Sequence, residues 1–121
     1  MKIPGPDHPI TIAPARERVR VMFNGEAVAD TTRALVLQEA AYKPVFYIPR
    51  RDAKLTLLEK TAHGTHCPYK GDASYYSIKV GDRVAENAIW SYETPFPAMR
   101  EIEGHLAFYP NRVDAIEVVP G

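Results

Sequence analysis

Short stretches of this chain alternate between apolar and polar residues, which is the spacing of β-strands that bury one face. Residues 18–23 alternate throughout, and their apolar positions on one face are Val19, Val21 and Phe23. The pair Asn24-Gly25 follows at once and is a strong hairpin signal, because both residues tolerate positive φ. The pattern predicts a hairpin whose return strand, residues 26–30, brings Val28 opposite Val21.

A second hairpin is predicted over residues 75–90. Its two-residue turn, Gly81-Asp82, has glycine first and suits a type II′ turn. With that turn, Tyr76 faces Asn87 across the two strands. One face of the hairpin then carries Tyr75, Ser77, Lys79, Glu86, Trp90 and Tyr92.

Shorter segments fill the rest of the chain. Pro97 and Gly104 bracket one short helix near residues 97–103. Residues 60–66 are polar and are predicted to form a loop. Further strands are predicted over residues 34–39, 45–48, 105–109 and 113–119, and residues 54–58 fit either a strand or one helical turn.

These elements predict the fold class. About eight short strands and one short helix favour a compact, mostly β domain of antiparallel strands in two sheets. The length of 121 residues suits one domain. Residues 1–14 contain four prolines and are predicted to be an extended N-terminal arm. Residues 15–121 then form the single β domain.

Composition narrows the functional classes. Lys and Arg total 15, as do Asp and Glu, so the formal net charge is zero. That balance argues against a nucleic-acid binder or a protein of anionic membranes. The one cysteine cannot form an internal disulfide, so no oxidising compartment is required. No stretch resembles a signal peptide or reaches ~18 apolar residues, so no membrane partner is expected and the predicted location is cytoplasmic.

The stretch Thr65–Asp72 concentrates reactive side chains. A cysteine nucleophile, a histidine base and an orienting carboxylate would suit acyl or phosphoryl transfer. The alternative is structural: Cys67 as a small buried apolar residue, with Asp72 and His66 bonding the backbone. The candidate catalytic residues are His66, Cys67, Asp72 and His105.

Two other chemistries are open in this region. His63, His66 and Cys67 would need a distant further ligand to hold a metal, so no metal site is assigned. Lys70-Gly71-Asp72 suits an anion, because glycine lets backbone amides face a phosphate and lysine supplies charge. A simple turn explains the same three residues equally well. Arg50-Arg51 fits a solvated loop better than a grip on an anionic ligand.

The second hairpin offers an aromatic wall made of Tyr75, Trp90 and Tyr92. Aromatic walls line ligand pockets, although such residues are also common in cores. The polar residues on the same face favour a pocket, since a core would not accept them. Among them, Lys79 lies diagonal to Glu86, within reach of an ion pair.

Four motifs carry a family resemblance. They are Thr65–Ala73, Ala85-Glu86-Asn87, Trp90-Ser91-Tyr92 and Ile102–Tyr109. Together they resemble the signature of a bacterial family, domain of unknown function 427, which is also labelled a nucleotidyltransferase. The resemblance covers residues 19–119 and leaves out the arm. It implies a mostly β, tent-like fold, whose better-known relatives hold zinc or a small ligand between two sheets. Their zinc is bound by paired CxxC motifs, so the single cysteine here gives no such site.

The residues and the resemblance together predict a small-molecule pocket around residues 65–72, for a nucleotide-like or other polar aromatic ligand. They identify no cofactor. The alternatives are a transfer enzyme that uses the same pocket, and a structural or interaction module without a ligand. The candidate ligand-binding residues are Tyr69, Lys70, Tyr75, Glu86, Asn87, Trp90 and Tyr92.

The sequence also predicts a homodimer. A small β domain has exposed sheet edges, which are a liability unless they are covered. Pairing across a two-fold axis would cover one edge and mimic family members that carry the domain twice. The arm would act as a clasp, over the neighbour or over its own sheet.

Overall fold

The computed structural model describes residues 1–121 and contains ten β-strands. Three short 3₁₀ segments, Arg50–Asp52, Leu55–Leu57 and Pro97–Ile102, are its only helices. The strands are β1 (Ile10–Pro14), β2 (Glu17–Phe23), β3 (Glu26–Thr31), β4 (Leu35–Glu39), β5 (Val45–Tyr47), β6 (Leu58–Cys67), β7 (Gly71–Val80), β8 (Arg83–Ser91), β9 (Ala107–Phe108) and β10 (Ala115–Pro120).

The strands form three antiparallel sheets, with the orders β1-β4-β5, β10-β2-β3 and β6-β7-β8-β9. The mostly β, antiparallel fold class is confirmed, with three sheets where two were expected. The helix predicted near residues 97–103 is the 3₁₀ segment Pro97–Ile102. Residues 54–58 contain a 3₁₀ turn rather than a strand. None of the helical segments is long and apolar enough to cross a membrane.

The first predicted hairpin joins β2 to β3. Asn24 and Gly25 both have positive φ, 49° and 78°, as the turn requires. The predicted pairing of Val28 with Val21 is wrong, because Val21 pairs with Ala29. A β-bulge follows Val21, and it leaves Val28 outside the ladder with its side chain fully buried in the core.

The second predicted hairpin joins β7 to β8. Val80 pairs with Arg83 beside the Gly81 turn, as expected, but the register shifts further along. Tyr76 therefore faces Ile89 and not Asn87. The cause is a bulge at Asn87, which has a φ of 49° within the strand.

Residues 60–66, predicted to be a loop, lie within β6 and pair with β7. Most of the β6 side chains are exposed on both faces, so the strand lacks the apolar alternation that marks a half-buried strand. β6 is the edge strand of its sheet, and an irregularity between Lys60 and Gly64 interrupts its pairing.

The sheet β6-β7-β8-β9 contributes to two hydrophobic clusters. Tyr76 and Ile78 pack with the buried residues of β2 and β3. Ala73 and Tyr75 pack with Leu37 of β4 and with the buried residues of the 3₁₀ segment Pro97–Ile102. Alternate residues of β7 thus point to opposite clusters, and the face that carries Tyr75 is the one that meets the sheet β1-β4-β5.

The N-terminal residues lie against the body of the same chain. Residues 10–14, placed in the predicted arm, form β1 and pair with β4. Further out, the Lys2 amide donates to the Pro68 carbonyl at 2.7 Å. His8 stacks on Tyr69 with ring centroids 4.2 Å apart. Residues 2 and 8 therefore contact the stretch that holds Pro68 and Tyr69.

Candidate functional site

A cavity of about 200 Å³ lies between the sheet β1-β4-β5 and the strands β7 and β8. Tyrosine supplies five of its eleven lining residues, and it also contains a tryptophan, a glutamate and two lysines. The lining residues are Leu37, Glu39, Tyr42, Lys43, Val45, Tyr47, Lys70, Tyr75, Trp90, Tyr92 and Tyr109. We call it the aromatic cavity.

An ion pair between Lys70 and Glu39 lies in the wall of the aromatic cavity. Lys70 is only 6% exposed, and its Nζ donates a hydrogen bond to Glu39 Oε1. The other carboxylate oxygen of Glu39 bonds to His8 Nε2 at 2.7 Å. Burial raises the pKa of Glu39, but the hydrogen bonds from Lys70 and His8 outweigh that effect, and its pKa is lowered overall. The glutamate is therefore ionised at neutral pH.

The turn between β6 and β7 positions Lys70. Gly71, the next residue, has a φ of +112°, which an L side chain adopts only with strain. The Lys70 carbonyl accepts a hydrogen bond from the Phe96 amide at 3.0 Å. Gly71 lies directly against residues 94–96, so the turn is fixed to the segment that follows β8.

The aromatic rings are held by hydrogen bonds among themselves. Trp90 Nε1 donates to the Tyr47 hydroxyl at 3.2 Å. The hydroxyl of Tyr75 lies 3.1 Å from that of Tyr109 and 3.0 Å from Thr65 Oγ1. Burial and the bond to Tyr75 raise the pKa of Tyr109 to about 12. The Tyr109 phenol therefore remains protonated at neutral pH.

Tyr92 differs from the other buried tyrosines. Burial raises its pKa, and none of the hydrogen bonds within the protein involves its hydroxyl. Lys70 Nζ lies 5.9 Å from the centroid of its ring. The Tyr92 hydroxyl and the remaining N–H of the Lys70 ammonium are therefore polar groups of buried lining residues that have no partner within the protein.

Four of the predicted ligand-binding residues line the aromatic cavity: Lys70, Tyr75, Trp90 and Tyr92. The other three lie elsewhere. Tyr69 stacks under His8 on the outer side of the turn. The Asn87 side chain accepts a hydrogen bond from the Thr61 hydroxyl at 2.7 Å. Glu86 is exposed and makes no ion pair with Lys79.

The four predicted catalytic residues do not form one site. His66 bonds to Asp72 at 2.7 Å on the surface, where the Asp72 side chain is 85% exposed. Cys67 Sγ has Lys70 Nζ as its polar neighbour, at 3.6 Å, and no histidine bonds to it. The ring of His105 bonds to the Glu103 carbonyl beside a separate, open cleft that also holds Arg33, Arg50 and Arg51. No group of three or more His, Cys, Asp or Glu side chains is arranged to hold a metal ion.

Several lining residues of the aromatic cavity were not identified from the sequence, of which Glu39 is the most important. The pattern of residues along β4 does point to Glu39. Leu35, Leu37 and Glu39 lie on one face of β4, so a carboxylate continues an apolar face. Of the other six, Tyr42, Lys43, Tyr47 and Tyr109 come from turns and short strands with no distinctive spacing, and Leu37 and Val45 are apolar residues of predicted strands.

Comparison with curated proteins finds no match to this chain. A family model matches residues 11–119, and its description is "Domain of unknown function (DUF427)". The match begins at residue 11, within β1, whereas the resemblance inferred from the motifs begins at residue 19. It spans all three sheets and the aromatic cavity, so this chain belongs to the DUF427 family.

Proposed function

We propose that this protein binds a small heteroaromatic molecule in the aromatic cavity. The observation that carries the proposal is the ion pair of Lys70 and Glu39, set among tyrosines and a tryptophan. Taking an ion pair out of water usually contributes little net stability, because the desolvation cost offsets the attraction. A buried charged pair that faces a cavity is therefore better explained by binding than by folding.

The donors support a ligand that accepts hydrogen bonds. The Tyr92 hydroxyl and one N–H of Lys70 have no partner within the protein and lie on the cavity wall. A carbonyl oxygen has two lone pairs and would accept both bonds, whereas a ring nitrogen has one lone pair and would accept one of them. The flat rings of Trp90 and Tyr109, 4.5 Å apart between centroids, provide surfaces for an aromatic ring to contact.

The volume sets the size of the ligand. Pockets for drug-sized ligands measure ~300–1,000 Å³, and the aromatic cavity measures about 200 Å³. A single heterocycle fits that volume, whereas a whole nucleotide exceeds it. A nucleotide-like ligand would place its ring inside and leave the remainder beyond Tyr42 and Lys43, which are exposed at the opening.

The transfer-enzyme alternative has less support. It needs a base within hydrogen-bond reach of Cys67, and the only polar side chain bonded to Cys67 is that of Lys70. His66 and Asp72 form a pair, but on the exposed side of the β6–β7 hairpin. We therefore propose binding as the function and assign these residues no catalytic role.

A ligand screen tests the proposal. Adenine, cytosine, nicotinamide and their ribosides would be titrated while the thermal unfolding midpoint and the heat of binding are recorded. We expect at least one ring to stabilise the folded protein, since a ligand that binds only the native state raises the midpoint. Tyr92→Phe should weaken binding by about two- to tenfold, the effect of losing one hydrogen bond.

Tyr69→Phe is the matched control, because it removes the same atom from a tyrosine outside the cavity. Its affinity should equal that of the wild type. If no compound raises the midpoint, or if the substitutions at residues 92 and 69 have the same effect, the aromatic cavity is not a ligand site of this kind.

A further inference from the structure

A second cavity, of about 320 Å³, lies on the other side of Trp90 and is almost wholly apolar. We call it the apolar cavity. Two of its lining residues, Val45 and Trp90, also line the aromatic cavity, so the two spaces share a wall. The lining residues of the apolar cavity are Val19, Val21, Pro44, Val45, Phe46, Ile48, Trp90, Phe108, Pro110 and Ile116.

The apolar cavity has no polar side chain directed into it. The only polar side-chain atom among its lining residues is the indole nitrogen of Trp90, and this atom bonds to Tyr47, which lines the aromatic cavity and not the apolar one. No buried side-chain nitrogen or oxygen in the protein lacks a partner. The volume falls within the range of small-molecule sites, ~300–1,000 Å³. A ligand held here must therefore present hydrocarbon to the cavity wall.

A positively charged side chain lies beside the opening of the apolar cavity. Pro44 and Pro110 are the exposed members of the lining, so the cavity opens between the turns that hold them. Lys43 precedes Pro44, is exposed, and takes part in none of the ion pairs of the protein. The guanidinium of Arg112, near the turn that holds Pro110, donates a hydrogen bond to the Asn87 carbonyl at 2.7 Å. Neither Arg112 nor Lys43 has an ion-pair partner, and Lys43, which also lines the aromatic cavity, is the exposed cation at the opening whose side chain makes no hydrogen bond within the protein.

We propose that the apolar cavity binds the hydrocarbon body of a small monocarboxylate, with Lys43 binding the carboxylate at the opening. The chemistry differs from that of the aromatic cavity, whose wall contains the Tyr92 hydroxyl and the Lys70 ammonium. The site does not require that a heterocycle be bound on the other side of Trp90.

The chain provides its own probe, because Trp90 is the only tryptophan and lies in the cavity wall. Its fluorescence would be followed in the full-length protein during titration with octanoate, 1-octanol and octylammonium. We expect a saturable change with all three, with octanoate binding most tightly and octylammonium least tightly. If no probe gives a saturable change, the site does not exist.

Two substitutions, each with a control, separate the parts of the site. Ile116→Phe fills the cavity and should weaken octanoate binding by about tenfold or more, a loss of 1.4 kcal/mol. Val84→Phe adds the same ring at an exposed position on β8 and should leave binding unchanged. Lys43→Glu should weaken octanoate binding by about two- to fivefold, as expected for one exposed charge pair, and leave octanol binding unaltered. Lys79→Glu, an exposed lysine on β7, is its control.

Methyl NMR of the wild-type protein keeps the test independent of whether the variants fold. Octanoate should shift the methyl resonances of Val45, Ile48 and Ile116 and leave those of Val84 unmoved. Shifts spread over the surface, or equal binding by the Ile116→Phe variant, would overturn the apolar site. Octanoate binding without heterocycle binding would uphold this inference and reject the function proposed above, and the reverse result would do the opposite.

Discussion

At the scale of single residues, Glu93 is the most strongly perturbed carboxylate. It bonds to the Tyr76 hydroxyl at 2.6 Å and to Lys60 Nζ at 2.7 Å, and it lies 3.3 Å from a guanidinium nitrogen of Arg50. Burial raises its pKa, but the bonds from Lys60 and Tyr76 outweigh burial and lower the pKa to about 2. Glu93 is thus an ionised group that joins Arg50, β6 and β7.

Replacing Glu93 by Gln should destabilise the fold by about 1 kcal/mol at pH 7, because a charge-assisted hydrogen bond is lost while partial exposure screens the charges. The folded-state pKa lies below the unfolded value, so the stabilisation is complete above pH ~4.5 and is lost as the pH falls towards 2. Urea unfolding at pH 7, 4 and 3 measures this effect.

The difference between wild type and the Glu93→Gln variant should shrink over that interval of acid pH. Glu59→Gln, at an exposed glutamate with no ion-pair partner, is the control and should be close to neutral. A difference that stays constant from pH 7 to 3 would contradict the assigned pKa of Glu93.

The same scale shows what the sequence could predict of the site. Lys70, Tyr75, Trp90 and Tyr92 were predicted because they lie in a conspicuous motif or on one face of a predicted hairpin. Their partner Glu39 lies 31 positions before Lys70, and nothing local joins the two. A cavity wall built from distant strands is fixed by sheet packing, which a pattern along the chain does not contain.

At the scale of elements, the turn that joins β6 to β7 is what places Lys70 in the aromatic cavity. It depends on the positive φ of Gly71, +112°, and on the contact with residues 94–96. A Cβ at Gly71 would meet only ordinary contacts, the nearest being the Phe96 nitrogen at 3.5 Å. The backbone conformation, and not the space, is therefore what requires glycine.

Gly71→Ala should lower the free energy of unfolding by about 1–3 kcal/mol, the cost of forcing a side chain into this conformation. It should also weaken the binding of any ligand in the aromatic cavity, because a change in the backbone at residue 71 would move Lys70, the residue before it. Gly64→Ala is the matched control, because Gly64 lies on β6 with a φ outside the positive region and with only an ordinary contact at 3.5 Å. Equal unfolding free energies for the two variants would show that the turn does not depend on glycine.

Turns and alternating strands were predicted correctly, whereas polar strands and bulges were not. The hairpin turns at Asn24-Gly25 and Gly81-Asp82 follow from backbone freedom, which is a property of the residues themselves. The register beyond Asn87 could not be predicted, because a non-glycine residue with a φ of 49° in a strand is selected by its surroundings. The strand β6 was not predicted, because an exposed edge strand has no buried face and its sequence therefore does not alternate between apolar and polar residues.

At the scale of the whole molecule, the sheet edges decide how copies of the chain can meet. β10 is the outer strand of its sheet, and its Val118 and Val119 are 44% and 45% exposed. β6 is also an edge, but its exposed Glu59 and Lys60 oppose pairing with another chain. Residues 2 and 8 contact the β6–β7 turn of their own chain.

We therefore propose that the protein forms a homodimer by antiparallel pairing of β10 with β10 of a second copy across a two-fold axis. Light scattering at micromolar concentration should give twice the chain mass of 13.6 kDa. Val118→Lys should give a monomer, because a lysine on an edge strand disfavours pairing. Val84→Lys, at another exposed valine away from β10, should remain dimeric.

Removal of residues 1–9, which leaves β1 intact, should also leave the dimer unchanged, since these residues contact the β6–β7 turn of their own chain. A monomeric mass for the full-length protein at every concentration would reject the dimer, and a monomer seen only after the arm is removed would place the interface at the arm and not at β10.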